Sequence, residues 1–133
     1  MDYPKLPGLT PDGRVYWNEE MGTAEARIPN GGYRSGHGPA LLELPNGDLL
    51  CVWFAGSFEG NADVHIVCSR LEKDSGSWTE PVDVSNDPLR SEQNPSLFYG
   101  PNGAAWCMYT AQLDRQAGKD NMQFTAVVRC QKS

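Results

Sequence analysis

The run PALLELPNGDLLCVWFA at 39–55 returns 56 residues later as PSLFYGPNGAAWCMYTA at 95–111, with seven of 17 positions identical. The shared letters are landmarks: Pro39 and Pro95, the Asn-Gly pairs Asn46-Gly47 and Asn102-Gly103, and Cys51 and Cys107, each four residues beyond its glycine. The chain therefore holds two copies of one unit. Tandem units with this kind of period cannot bury their apolar faces singly and must stack on one another.

Turn chemistry says what the unit is made of. Asn-Gly between apolar runs is a strong short-range hairpin signal, because both residues tolerate positive φ. Strands are expected at about 38–44 and 48–55, then at 63–69, where Val64, Ile66 and Cys68 share one face and His65 and Val67 the other. A fourth is expected near 80–84. The second copy repeats the order at about 94–99, 104–111 and 122–130, with a loop from Gln112 to Asn121 that is about three residues longer. Four short antiparallel strands per repeat of about 50 residues is the pattern of a propeller blade. The expectation is thus an all-β chain of four-stranded antiparallel β-propeller blades, one at 33–88 and an incomplete one at 89–133, after an N-terminal extension at 1–32. A ring needs at least about four blades, so either the sequence is the N-terminal part of a longer protein or several copies associate. The first is favoured, since an incomplete blade leaves a hydrogen-bonding edge unpaired.

Composition narrows the partners. Fourteen glycines and ten prolines suit a turn-rich chain, and only Ala24–Arg27 offers a short helix-friendly stretch. A net charge of −6 argues against nucleic acid, which requires a basic face. No segment approaches the roughly 20 apolar residues of a membrane span, and the N-terminus carries neither a basic region nor an apolar run. A soluble, cytoplasmic protein without membrane partners is expected. Four cysteines occur without a C-x-x-C pair, so zinc spacing is absent and no cofactor is expected. Small buried thiols are the favoured reading, with a Cys51–Cys68 disulfide the minor one.

Three further segments carry a family resemblance. The run Tyr33, Arg34, Ser35, Gly36, His37, Gly38, Pro39, followed by the Asn46-Gly47 hairpin and by 62–70 (ADVHIVCSR), resembles the opening blade of sialidases. Arg90-Ser91-Glu92-Gln93-Asn94-Pro95 is similar to the segment that starts that family's second blade. Asp74-Ser75-Gly76-Ser77-Trp78 approximates the Asp-box turn, one residue tighter. The likeness covers about 33–133 and implies about two blades of a six-bladed sialidase-like propeller. It departs from the pattern at 35–38, which separate Arg34 from Pro39. Arg27-Ile28-Pro29 matches three letters of the opening motif but lacks its flanks, and ranks below Arg34.

The resemblance also implies a site. A guanidinium pairs with the planar carboxylate of sialic acid through two charge-assisted hydrogen bonds, and Arg34 resembles the first of three arginines that do so in sialidases. Arg90 and Asn94 are further substrate-binding candidates. The family takes its proton donor from the loop between the second and third strands of the first blade, where Glu59 is the first choice and Asp63 the second. Glu59 keeps the proton of the family's Asp on an arm one methylene longer. His37, between two glycines just before the first strand, is a further acid or base candidate. A lone solvated arginine, a turn-capping Asp63 and a backbone-bonded His37 are the plain alternatives.

The function expected from these residues is the N-terminal portion of a sialidase-like glycoside hydrolase, exo-acting on terminal acidic sugars. The alternatives are a lectin formed by oligomerised two-blade units and a non-catalytic propeller scaffold. Carbohydrate is the expected partner, with a homo-oligomer if the chain is complete. Trp53, Trp106 and Tyr109 are the lectin's stacking candidates, although packing between blades explains them more simply.

Overall fold

The computed structural model describes residues 11–114 and 127–132, and within these every regular element is a strand. A hairpin of β1 (Val15–Asn18) and β2 (Thr23–Ala26) comes first. A four-stranded antiparallel sheet follows in the order β3 (Ser35–Glu43), β4 (Leu49–Gly56), β5 (His65–Leu71), β6 (Val82–Asp83). The last sheet is β7 (Arg90–Tyr99), β8 (Ala105–Leu113), β9 (Val127–Lys132). No helix among the described residues is long and apolar enough to cross a membrane.

The helix-friendly stretch at Ala24–Arg27 is a correction: Thr23–Ala26 is strand, because Gly22 at φ 64° closes a turn that returns it onto Val15–Asn18. The Asn18 amide then donates to Glu25 at 3.0 Å across the pair. The expected loop from Gln112 to Asn121 begins later than the sequence suggests, since β8 runs to Leu113, and 115–126 lie outside the described residues.

Strand β4 explains why the sheets stack. Its run CVWFA, 51–55, is buried residue by residue, as expected for a strand covered on both faces. Val52 and Phe54 join Val64 and Ile66 in a core completed by Cys107 and Tyr109 of the second sheet. Cys51, Trp53 and Ala55 point the other way, with Val67, under Ile28 and Tyr33 of the N-terminal segment and Trp78. The segment before β1 is stitched to the Asp-box-like turn: the Trp78 amide donates to the Gly13 carbonyl at 2.9 Å, the Val15 amide to the Gly76 carbonyl at 3.0 Å, and Arg14 bridges Ser77. Trp53 and Tyr109 are thus core residues. Cys51 and Cys68 are free thiols. Cys51 packs on one face of the first sheet and Cys68 on the other, which removes the Cys51–Cys68 disulfide.

The first strand of each copy starts earlier than the turn signals suggest, at Ser35 and Arg90. Each passes through a β-bulge, between His37 and Ala40 in β3 and between Gln93 and Ser96 in β7. The bulge residues Gly38 (φ 62°) and Asn94 (φ 53°) are both left-handed and stand 56 residues apart, so the duplication reaches upstream of the prolines. Asn is the side chain that best tolerates this backbone in place of glycine. Gly38 has a second constraint, since a Cβ there would lie 2.8 Å from the Phe54 ring.

Candidate functional site

Antiparallel order gathers the N-terminal ends of β3 and β7, the C-terminal ends of β4 and β8, and the loop 57–64 at one rim. The Asn-Gly turns and the Asp-box-like turn occupy the other. The loop leaves β4 at Gly56, where a Cβ would sit 2.8 Å from the Asp63 carbonyl, so only glycine lets its two ends close this tightly. Inside the loop the Asp63 carboxylate accepts from the Ser57 amide (3.2 Å) and hydroxyl (2.9 Å), and the Asn61 amide donates to Ser57 Oγ at 3.0 Å. Outside it, the Asp114 carboxylate at the end of β8 accepts from the Ala62 amide at 2.6 Å. The Glu92 amide of β7 reaches the Val64 carbonyl at 2.8 Å. The loop is braced by both sheets.

On this frame the expected residues fall into two groups. Glu59 Oε2 lies 3.5 Å from His37 Nδ1, with 54% and 69% of the respective side chains exposed. The His37 ring rests edge-on against Phe54, with centroids 5.4 Å apart. The Arg34 guanidinium lies over the Phe58 ring, 4.6 Å from its centroid. Arg34, His37 and Glu59 therefore present exposed polar groups at the rim. Asp63, by contrast, is committed to Ser57 as the cap of the loop. Arg90 and Asn94 are held by the second sheet: Arg90 Nη1 donates to the Ala111 carbonyl at 3.4 Å and its Nε is 4.0 Å from Asp87, while the Asn94 amide donates to Thr110 Oγ1 at 3.3 Å.

Two networks that turn chemistry does not announce hold this rim in place. Tyr33, next to Arg34, donates its hydroxyl to Asp83 at 2.9 Å and lies 2.9 Å from His65 Nε2, while His65 Nδ1 faces the Asp63 carbonyl at 3.0 Å. The histidine in mid-sequence thus joins the segment bearing Arg34 to the end of the acid loop. Burial, reinforced by Asp83, holds the Tyr33 phenol above its ordinary pKa. Desolvation does the same for Tyr109, so neither phenol is prepared to ionise. The second network centres on Glu92, only 1% exposed, whose carboxylate accepts from Arg129 at 3.0 Å and from the Asp87 amide at 3.2 Å. Arg129 also pairs with Asp87 at 2.7 Å. The Leu89 amide is the main reason the Asp87 carboxyl lies below its usual range, with Arg129 adding to it. The signal in the sequence was the same 56-residue offset: Arg90-Ser91 aligns with Arg34-Ser35, which places buried Glu92 opposite Gly36.

Beside His37 a cavity of about 280 Å³ opens between Ile28, Pro29 and Asn30 on one side and Gly36, Pro39 and Trp53 on the other. Among the described residues no group of three or more His, Cys, Asp or Glu side chains is placed to hold a metal ion.

A family model described as a BNR repeat-like domain matches residues 47–128, most of both copies. The chain belongs to the BNR repeat-like domain family. Solved structures agree on the fold of these BNR repeats. A Hadza microbial sialidase, Hz136, superposes with a TM-score of 0.62 at 14% identity, covering 76% of this chain and 24% of that one. A protein of unknown function from Dyadobacter fermentans superposes with a TM-score of 0.57 at 19% identity, covering 76% and 34%. No curated protein matches. The chain therefore spans about a quarter to a third of these structures, and its BNR repeats form about two blades of a sialidase-like propeller.

Proposed function

We propose that the chain is the N-terminal portion of a sialidase-like glycoside hydrolase that removes terminal acidic sugars. The observation that carries this reading is the pairing at one rim of an exposed guanidinium, Arg34, with an exposed carboxyl–imidazole pair, Glu59 and His37. Arg34 supplies the planar fork that a sugar carboxylate requires. Glu59 stands as proton donor to the leaving oxygen, and His37 beside it exchanges the proton. Asp63 serves as the brace that keeps the loop closed. Arg90 and Asn94 then line the neighbouring blade, the former orienting the rim and the latter fixing the bulge. The remaining anion-binding groups and the nucleophile belong to further blades, in keeping with the share of the matched structures that this chain covers.

A second reading is favoured by one observation. Phe98 and Trp106 stack on the outer face of the second sheet with centroids 6.1 Å apart and planes 3° apart, and Phe98 and Met108 are exposed. Such a face suits either sugar stacking without turnover or another blade. Turnover separates the readings. The polypeptide made from the full coding sequence is expected to release sialic acid from an unactivated sialoside, and Glu59→Gln to remove most of that activity while sparing an aryl sialoside whose leaving group needs no proton. Equal loss on both substrates would reject Glu59 as the donor, and no release by the parent protein would reject the hydrolase.

A further inference from the structure

Phe58 is the one large apolar side chain of the acid loop, and it is 53% exposed. Nothing in the two hydrophobic cores includes it. Its ring contact is the guanidinium of Arg34, 4.6 Å above the centroid. Its carbonyl accepts from the Asn61 amide at 3.1 Å, which folds the loop tip into a turn, and Gly60 at φ 94° completes it. The next residue, Glu59, faces His37.

We infer that Phe58 is a positioning residue for Arg34: its ring is the floor over which the guanidinium is held, and its attachment to Glu59 ties the anion-binding fork to the proton donor. This rests on the proposed reading of the rim as a site for carboxylate-bearing sugars. The physics favours an aromatic ring specifically. A guanidinium is attracted to the negative face of the π-system, and stacking covers that face while leaving the N–H edge open. The edge is what a carboxylate engages in two parallel hydrogen bonds. Without the ring, Arg34 is a long exposed side chain with several rotatable bonds, and the ligand would have to order it on binding. An aliphatic side chain at 58 offers no quadrupole, whereas tyrosine does.

The test uses the polypeptide made from the full coding sequence, arginine-labelled for NMR, with Phe58→Leu and Phe58→Tyr beside it. In the parent protein the Arg34 Nε–Hε resonance is expected to lie upfield through the ring current, to lose that shift in Phe58→Leu and to keep it in Phe58→Tyr. Titration with N-acetylneuraminic acid and with its methyl ester isolates the carboxylate. Phe58→Leu is expected to weaken binding of the acid by about two- to fivefold and to leave the ester unchanged, and Phe58→Tyr to bind the acid as the parent does. An unshifted Arg34 resonance in the parent protein, equal weakening for acid and ester, or unaltered acid binding in Phe58→Leu would each overturn the role given to Phe58. A shifted Arg34 resonance with no binding of either sugar would fail differently: it would keep the contact, reject the substrate class, and with it the binding role of Phe58.

Discussion

Replacing Phe54 by alanine should undo the docking of the two sheets. Phe54 is 4% exposed and sits where three things meet: the core shared with Cys107 and Tyr109, the edge of the His37 ring, and the bulge at Gly38. A buried Phe→Ala change costs about 3–5 kcal/mol, through lost transfer energy and the cavity left behind. Total stability of a domain is about 5–15 kcal/mol. With a urea m-value of about 2 kcal/mol/M, the midpoint should fall by about 2 M. Leu41→Ala is the control, since Leu41 lies on the same sheet but is 66% exposed and should change stability by about 0.5 kcal/mol or less. Gly38→Ala adds a second arm. Alone it must strain a left-handed backbone, at about 1–2 kcal/mol, and also push the Phe54 ring, because the new Cβ would lie 2.8 Å from it. In the Phe54→Ala background the collision disappears and only the backbone strain is left. The double mutant should therefore be less destabilised than the sum of the single changes. Urea melts followed by tryptophan fluorescence give all four values. A Phe54→Ala cost no larger than that of Leu41→Ala, or strict additivity with Gly38→Ala, would refute this packing.

Other consequences follow from charge and burial. The Asp48 carboxyl lies below its usual pKa, chiefly through the Lys73 amide and then Arg70, and Asp87 lies low chiefly through the Leu89 amide. Depressed carboxyl values contribute stability that is complete above about pH 4 and lost as pH falls through the folded values. Thermal melts should therefore drop on acidification below about pH 4, less steeply in Asp48→Asn, and a parallel drop in that variant would contradict the assignment. Desolvation pushes the Cys51 thiol up to about 11, so alkylation at pH 8 should modify Cys51 only after unfolding. Immediate labelling of the native protein at Cys51, mapped by mass spectrometry, would contradict its burial. Tyr33→Phe should loosen the segment leading into Arg34 by about 1 kcal/mol, seen as faster amide exchange at 30–34 with little change in β8.

Much of the fold could be read from two kinds of residue. The Asn-Gly turns with their trailing cysteines located both hairpins, and the alternation of Val64, Ile66 and Cys68 with Val67 assigned faces that the two cores reproduce. What was hidden has physical reasons. The bulges at Gly38 and Asn94 extend strands through residues that read as loop, since a left-handed residue inside a strand has no periodic signature. Ala24 and Glu25 have helical propensity, but pairing with Trp17 and Tyr16 overrides it. At the rim, the sequence pointed to Arg34, His37 and Glu59 one at a time. Arg34 meets Phe58, His37 meets Glu59 and Tyr33 meets His65 only because the loop and strands fold back on each other, and no local pattern encodes these contacts. Position alone ranked Glu59 ahead of Asp63 as donor without excluding either. The Ser57 hydroxyl and amide separate them by occupying Asp63.

The most direct test of the shared rim is amide and side-chain NMR mapping of this region within the labelled polypeptide made from the full coding sequence, titrated with N-acetylneuraminic acid. Perturbations confined to Arg34, His37 and 57–63, with Asn46, Gly47 and Gly103 silent, are the predicted result. Perturbations centred on the opposite turns, or on Phe98 and Trp106, would contradict it.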